Sequence, residues 1–596
     1  MRFPSIAALG SRARTVLLRF PWVLAVGAIA ATAAIISIER HDDDVQARLS
    51  IVAALGLPLL TALTLLGERL QLRGWRRTGL VAAGALFLIW FFKAWPGPDQ
   101  KHDVIRYFQL SIGLHLTVSF LPFLPSRGRG AFWQFNRTIF EAFLRAVLFT
   151  LVLYLGLVVA LVALDKLFGI SIPSNRYAEL WILLALVANT WIFLSGVPDD
   201  FGALEQSTEY PRGLKVLTQY ILTPLVAVYL VILMLYLVKI VVTGSWPNGW
   251  IGYLVSSVAV TGMLGFLLVH PLRDHAEEGW IRTYSRWLFI GLIPAAVMFL
   301  LALSKRVHQY GLTELRFLGL LLGGWLLGIA LLYSVRGKSG VQVIPVSLSI
   351  LLLFTLFGPV SATTFSLRSQ AARLHSLLET NHLIDGTRSS TPPLSDNDRR
   401  EISASLRFLL ERHAGNRIAG ISGGKLPGGI ALRDSTSLEI DSTAAALLAA
   451  LGAEYAPEYG NGSSSFTFQA RSDSNATPIG GYDFSVALSG TDSTTFFTDD
   501  DTLKVFFDTA SVMLRIQRQA DTLLMFPFRP MLDSLLRNPN AGYLELPPAR
   551  MRVTVEGSGY RGMMALDWLM GARDPAGPRI RGWRGELYIG RVDPPR

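Results

Sequence analysis

Two polar residues, His115 and Asn189, lie inside apolar stretches long enough to cross a membrane. Polar side chains at membrane depth cost free energy unless they are paired or hydrated, so such positions are the first to consider for function. An imidazole could relay protons or bind a ligand, and a carboxamide can both donate and accept hydrogen bonds. The alternative is structural, because a neutral histidine or an amide can also bridge two neighbouring helices.

Arg137, Glu141 and Arg145 are spaced by four residues, so a helix places the carboxylate between two guanidinium groups on one face. With Trp133 and Phe135 as interfacial anchors, this face could bind the head group of an anionic lipid. A cluster of ion pairs that only fixes the depth of a helix end explains the spacing equally well.

A short loop with the sequence QYGLTE contributes two further binding candidates, Tyr310 and Glu314. Loop residues bind ligands more often than core residues do. Thr313 could instead cap the following helix, which would give the loop a structural role. Neither these residues nor the rest of the chain form a recognised catalytic, cofactor or metal motif. The chain contains no cysteine, and the Asp499 to Asp501 run lacks the spacing of a calcium loop, so we expect no catalytic residues, cofactor or metal.

The composition indicates a membrane protein, since 51% of the 596 residues are hydrophobic and only 17% are charged. The formal net charge is +11, but the basic excess lies in one part of the chain. Up to His375 there are 32 Lys and Arg against 18 Asp and Glu, and after it 23 against 26. Basic residues orient helices in a bilayer, so the charge does not call for a nucleic-acid partner.

Apolar stretches of membrane length predict about eleven transmembrane helices. Their expected ranges are 20–38, 49–66, 78–95, 106–124, 143–164, 178–197, 215–242, 250–270, 287–304, 316–335 and 342–362. If the N-terminus is cytoplasmic, 19 of the 32 basic residues of this part fall on the cytoplasmic side. An odd number of helices then places the C-terminus in the periplasm. The pairs Gly319 with Gly323 and Gly324 with Gly328 predict helix faces that another helix can approach closely.

The chain changes character towards its C-terminus. We expect a transmembrane helical domain over residues 1–375, a linker over 376–398 and a soluble domain over 399–596. Helical patterns occur at residues 400–413 and at 442–451, the second capped by Asp441 or Ser442. The rest alternates between apolar and polar residues, with a short helix near residues 530–537. The sequence therefore predicts a soluble α+β domain that is mainly antiparallel β.

Several separated stretches resemble a known family. They are RYFQLSIGLHLTVSFLPFL, FWQFNRTIFEAFLRA, LYLGLVVALVALDKLFGI, NTWIFLSGVP, the run from YPRGLKVLTQY to WPNGW, QYGLTELRF and SLRSQAARL. In this order they are similar to the bacterial membrane proteins grouped as domain of unknown function 4153, over about residues 50–370. The resemblance implies a protein of the bacterial cytoplasmic membrane, and it supplies no catalytic residues.

Two hypotheses about function follow. In the first, a non-enzymatic inner-membrane protein binds or senses an envelope protein or glycan through its periplasmic C-terminal domain. In the second, the helical bundle transports or flips a small or lipid-linked substrate. Both imply contact with the lipid bilayer, and the sequence leaves the oligomeric state open.

Overall fold

The computed structural model describes two units, Met1–Ala372 and Arg373–Arg596. It describes residues 6–592 except 41–43, 99–100, 125–128, 207–209, 245–249, 275–278, 336–339, 385–393, 422–436, 457–464, 471–478, 490–493, 498–501, 509–510, 519–520, 537–542 and 575–576. Asp499 to Asp501 and residues 385–393 of the expected linker lie outside the described residues.

The first unit is built from helices alone. They are α1 (Ile6–Arg19), α2 (Pro21–Arg40), α3 (Asp44–Arg69), α4 (Trp75–Ala94), α5 (Lys101–Phe120), α6 (Arg129–Phe168), α7 (Asn175–Leu183), α8 (Asn189–Ser195), α9 (Phe201–Gln206), α10 (Arg212–Val216), α11 (Thr223–Thr243), α12 (Trp250–Val269), α13 (Gly279–Tyr310), α14 (Glu314–Val335), α15 (Val343–Phe354) and α16 (Ala362–Thr380), the last continuing into the second unit. Short π-helical segments, Leu184–Ala188 and Leu217–Leu222, join α7 to α8 and α10 to α11.

Ten of the helices in the described residues are long and apolar enough to cross a membrane, counting α7 with α8 and α10 with α11 as one each. The eleventh expected helix, α15, is apolar but has only 12 residues. Large apolar side chains cover the outward faces of α6 and α11, as expected for helices in contact with lipid. The prediction of a polytopic helical membrane protein is therefore confirmed.

Arg19 defines one end of the bundle, which we call the Arg19 end. Its guanidinium binds Glu68, at the end of α3, and the Val197 and Pro198 carbonyl groups after α8. At the opposite end, Arg48 donates hydrogen bonds to the carbonyl groups of Phe92 and Trp95, which satisfies the C-terminus of α4.

Two of the four glycines that the sequence singled out in α14 allow α13 to pack closely against it. A methyl group on Gly319 or Gly323 would lie 2.9 Å from a leucine of α13, so these two glycines allow the close approach. Gly324 and Gly328 have nothing within 4 Å of that position and face open space. The spacing of the glycines therefore predicted the packed face of Gly319 and Gly323 correctly. The prediction of a second packed face at Gly324 and Gly328 was wrong.

The second unit contains α17 (Asp396–Leu410), α18 (Gly415–Ile421), α19 (Ser437–Ala450), α20 (Arg529–Leu536) and ten strands. The strands are β1 (Ser465–Ala470), β2 (Phe484–Ser489), β3 (Thr494–Phe497), β4 (Thr502–Asp508), β5 (Met513–Arg518), β6 (Asp521–Pro527), β7 (Tyr543–Leu546), β8 (Arg552–Gly557), β9 (Tyr560–Asp574) and β10 (Gly577–Arg591). Helix α19 begins at Ser437, so Asp441 and Ser442 lie within it and the predicted cap was wrong. The preceding Leu438, Glu439 and Ile440 extend the helix towards the N-terminus.

One sheet has the order β2-β10-β9-β1-β7 with β8 on β9, and the other has the order β3-β4-β5-β6. All pairs are antiparallel except β1 with β7. Side chains of both sheets form one apolar core that includes Phe468, Leu514, Phe526 and Leu587. The prediction of a mainly antiparallel α+β domain is confirmed.

Candidate functional site

A cavity of about 450 Å³ lies within the helical bundle, where α2, α3, α5, α6, α8, α12 and the N-terminal part of α15 converge. Most of its lining is apolar. The polar side chains in the lining are Thr61, His115, Ser119, Asn136, Arg137, Asn189 and Thr190. The sequence singled out three of these seven residues, His115, Arg137 and Asn189, and the fold brings them to one cavity.

His115 lies on α5, one turn after Ser111. Its ring nitrogen Nδ1 is 2.8 Å from the Ser111 carbonyl oxygen. A carbonyl oxygen can only accept, so Nδ1 carries the hydrogen and a neutral His115 presents Nε2 as an acceptor. The side chain is exposed and lines the cavity, so Nε2 is accessible to a ligand there.

Asn189 follows a π-helical segment directly, and such segments occur often at functional sites. Its Oδ1 accepts a hydrogen bond from the Thr150 hydroxyl of α6 at 3.4 Å. Helix α2 packs on the same segment, because a methyl group on Gly27 would lie 2.9 Å from the Leu186 carbonyl oxygen. These contacts fix the position from which Asn189 faces the cavity.

Asn136 joins α5 to α6 at the Arg19 end of the cavity. Its Nδ2 donates to the Ser119 carbonyl at 3.0 Å and to the Phe132 carbonyl at 2.8 Å. The Ser119 hydroxyl is buried and has no hydrogen-bond partner among the described residues. The sequence offered a signal for Asn136, which immediately precedes Arg137, but none that placed Ser119 on the same wall.

The Arg137, Glu141 and Arg145 face forms as the spacing predicts. One oxygen of Glu141 is 3.9 Å from Arg137 Nε and the other is 3.9 Å from Arg145 Nη1. The Arg137 side chain is 14% exposed and lines the cavity, whereas that of Arg145 is 52% exposed and does not. The two guanidinium groups therefore share a carboxylate but face different surroundings.

Trp133 closes the wall between α6 and α12. Its Nε1 donates to the Leu267 carbonyl at 2.7 Å, and its ring stacks on Tyr210 at 5.6 Å between ring centroids. The Tyr210 hydroxyl donates to the neighbouring Leu268 carbonyl at 3.2 Å. Both leucines line the cavity, so this aromatic pair holds the end of α12 against it.

Tyr310 and Glu314 do not line this cavity. The Tyr310 side chain is exposed, and Glu314 is 2% exposed in the first turn of α14. The backbone of their loop is held by α16, where Gln370 Nε2 donates to the Tyr310 and Leu312 carbonyl groups. Two stretches that lie apart in the chain, QYGLTELRF and SLRSQAARL, thus contact each other.

Among the residues that the structure describes, no group of three or more His, Asp or Glu side chains is placed to hold a metal ion. The cavity instead offers hydrogen-bonding groups, one guanidinium and a long apolar surface. That combination is suited to binding a molecule with a small polar end and an apolar body.

Comparison with known proteins identifies one family model. It is described as domain of unknown function 4153 and matches residues 22–396, a longer range than the motifs indicated. An uncharacterised protein of Pasteurella multocida (strain Pm70) is 22% identical over 232 residues, which is 38% of this chain and 38% of that protein. No solved structure matches the chain.

Proposed function

The chain belongs to the family described as domain of unknown function 4153, and from that premise we propose that its membrane bundle binds an amphiphile in the central cavity. Binding at this position is the first step of carrying a lipid or a lipid-like molecule through the bundle. This is the transporter or flippase hypothesis, applied to the Met1–Ala372 unit.

The observation that carries the proposal is the cavity itself. Its volume, about 450 Å³, is within the range of small-molecule pockets, roughly 300 to 1,000 Å³. The cavity is half-open rather than sealed, and the lining residue Phe143 is 51% exposed, so a ligand could enter it from outside the bundle. Its apolar walls would accommodate an acyl chain, and its sparse polar groups would orient one end of the ligand.

Filling the cavity tests the proposal. Leu264 of α12 lines it, and Leu264→Trp should reduce the lipid that copurifies with the protein. Val260 lies one turn earlier and is 68% exposed, so Val260→Trp places the same indole outside the cavity. Mass spectrometry of bound lipid should show a loss for the first variant alone; equal lipid content in both variants and the parent protein would rule the proposal out.

We propose that the protein lies in the bacterial cytoplasmic membrane, with its N-terminus in the cytoplasm and its C-terminal domain in the periplasm. The support is the distribution of basic residues, 19 of 32 on the side of the N-terminus. Helix α15 alone spans only about 18 Å of a hydrocarbon core of about 30 Å, because it has 12 residues. A periplasmic C-terminal domain therefore requires that residues flanking α15 complete an eleventh crossing.

Reporter fusions separate the two topologies. A reporter active only in the periplasm should be inactive when fused after Arg76 and active when fused after Arg596. Inactivity at both positions would place the C-terminal domain in the cytoplasm and show that the chain crosses the membrane an even number of times.

A second proposal concerns the C-terminal domain, which would bind an envelope protein or glycan without catalysis. It is favoured by an exposed row on the outer face of the β3-β4-β5-β6 sheet, where Phe506, Arg515 and Met525 are cross-strand neighbours. A photo-crosslinker at Phe506 in cells should form a defined adduct, and one at Asp567, which is 63% exposed on the other sheet, should not. Identical labelling at both positions would argue against a specific face.

A further inference from the structure

We infer that the cavity holds its ligand in a fixed orientation, with an acidic head group at the Arg19 end beside Arg137 and Ser119. The inference rests on the proposed function and adds the chemical class of the ligand and its direction. The acid is a phosphate monoester or a carboxylate on an apolar chain, since both offer anionic oxygen acceptors to the same groups.

The orientation of the ligand in the cavity follows from the packing of α6 against α8. Asn189 touches Thr150, and Gly196 packs on Ala142, so the two helices run antiparallel. Arg137 and Thr150 are 13 residues apart on α6, which is about 20 Å along a helix axis. Arg137 and Asn189 therefore lie at opposite ends of an elongated space.

The apolar surface lies between those ends. Phe140, Phe143 and Phe193 line the stretch from the level of Arg137 to that of Asn189. Phe143 is half exposed, and Phe140 and Phe193 are partly buried. An alkyl chain in this stretch would remove apolar surface from water, with a gain of about 25 cal/mol per Å².

The charge of the head group follows from the lining. Arg137 and the imidazole of His115 line the cavity, and none of the described residues in its lining carries a carboxylate. Glu141 lies beside Arg137 but is shared with Arg145 at the same distance, so the three side chains carry one excess positive charge. A guanidinium that lines an apolar space favours an anionic group of the ligand there, because opposite charges attract more strongly in surroundings of low dielectric constant than in water.

Hydrogen-bond donors are placed for the same anion. The Ser119 hydroxyl is buried without a partner among the described residues. The hydrogen bond from Asn136 to the Ser119 carbonyl joins α5 to α6, and both Ser119 and Arg137 line the cavity. Hydrogen bonds from a guanidinium or hydroxyl to an anionic oxygen are about twice as strong as those between neutral groups. His115 lies one turn deeper on α5, where Nε2 can accept the hydrogen of a singly protonated phosphate.

The test compares four probes of equal chain length on the full-length protein in a neutral detergent. The probes are monododecyl phosphate, dodecanoate, dodecanol and dodecyltrimethylammonium. We expect the two acids to bind about tenfold or more tighter than the alcohol, and the cation to bind worst. Binding of both acids identifies the shared acidic chemistry, and binding of the phosphate alone narrows the ligand to a phosphate monoester.

Arg137→Gln should remove the preference for acids, because it should lower the affinity for the two acids far more than the affinity for dodecanol. Arg145→Gln is the matched control, because it removes a charge from the same Glu141 outside the cavity and should preserve the preference. If Arg137→Gln fails to fold, the double variant Arg137→Gln with Glu141→Gln keeps the local charges balanced and should show the same loss. Equal binding of acid and alcohol, or equal effects of the two single variants, would overturn the inference.

The same experiment separates this inference from the proposed function. If dodecanol binds and Leu264→Trp displaces it, the cavity binds amphiphiles even when the preference for acids is absent. If no probe binds and Leu264→Trp has no effect, the cavity is not a binding site, and the head-group inference is overturned with it.

Discussion

Arg19 lies at the junction of α1 and α2 with its guanidinium inside the bundle rather than in solvent. Nε and Nη2 bind the two oxygens of Glu68 at 2.9 and 2.7 Å, and further donors bind the carbonyl groups of Val197 and Pro198. The side chains of Arg19 and Glu68 are 14% and 20% exposed. This pair ties the first two helices, the end of α3 and the end of α8 together at one point.

Removing the charge of Glu68 should therefore destabilise the bundle. Glu68→Gln keeps the shape of the side chain but leaves a largely buried guanidinium without its counter-ion, at a cost of about 2 kcal/mol or more. Thermal unfolding of the purified protein in detergent should show a clear decrease in Tm.

Glu205→Gln is the matched control. Glu205 binds Arg69 at 3.3 Å and is 48% exposed, so its loss should cost less than about 1 kcal/mol. Equal decreases in Tm for the two variants would show that the Arg19 pair contributes no more than a surface ion pair.

The sequence identifies candidate residues whose chemical type is unusual for their surroundings. It does not identify residues whose role comes from contacts with distant parts of the chain. His115, Arg137 and Asn189 stood out because polar side chains are rare in apolar stretches. Ser119 could not be distinguished from other serines, since its role depends on which helix lies opposite. The sequence alone gives Arg19 no role beyond that of a basic residue near the N-terminus, because its contacts are up to 179 residues away in the chain.

The elements show the same division between local and long-range information. Helices of membrane length were predicted from apolar stretches, and their ends differ by several residues where a helix extends beyond the bilayer, as α6 does over 40 residues. The π-helical segments were not predicted. Pro224, just after the second segment, lacks the N–H that would continue the regular hydrogen bonds, which is a local cause for one of them.

Helix α2 packs closely on the first π-helical segment at Gly27. In Gly27→Ala the added methyl group would lie 2.9 Å from the Leu186 carbonyl oxygen and 3.3 Å from a Leu57 methyl group, so α2 must move away from this segment. Overpacking of this kind costs about 1 to 3 kcal/mol. We expect a lower Tm and a smaller amount of bound lipid, because the adjacent Asn189 lines the cavity.

Gly156→Ala is the control for the helix substitution itself. Gly156 lies in α6 with nothing within 4 Å of its missing methyl group, so alanine should be neutral or stabilising by up to about 1 kcal/mol. A Gly27→Ala protein as stable and as lipid-loaded as Gly156→Ala would contradict the close packing of α2 on this segment.

In the whole molecule, the described residues form two units with separate apolar cores. The composition of the sequence predicts a change of character near residue 375. It did not give the strand order, because β1 pairs with β7 and β9, strands that are far apart in sequence. The turn between β8 and β9 did have a local signal in the sequence, which is the pair Ser558-Gly559. Both residues have positive φ in the structure, as a two-residue hairpin turn requires.

A separate core predicts that the second unit folds without the first. Phe526 of β6 is fully buried among side chains of both sheets, including Leu514 and Met564, and all members of this core belong to residues 466–589. A fragment of residues 395–596 begins at Ser395, whose hydroxyl caps α17 by accepting from the Asp398 N–H. It should be soluble and unfold cooperatively in urea.

Phe526→Ala should lower the free energy of unfolding of this fragment by about 3 to 5 kcal/mol, because it leaves a cavity in the core. Met525→Ala, at a position 53% exposed on the same strand, should change it by less than about 1 kcal/mol. Aggregation of the parent fragment, or equal effects of the two substitutions, would mean that the sheets need the membrane unit to form their core.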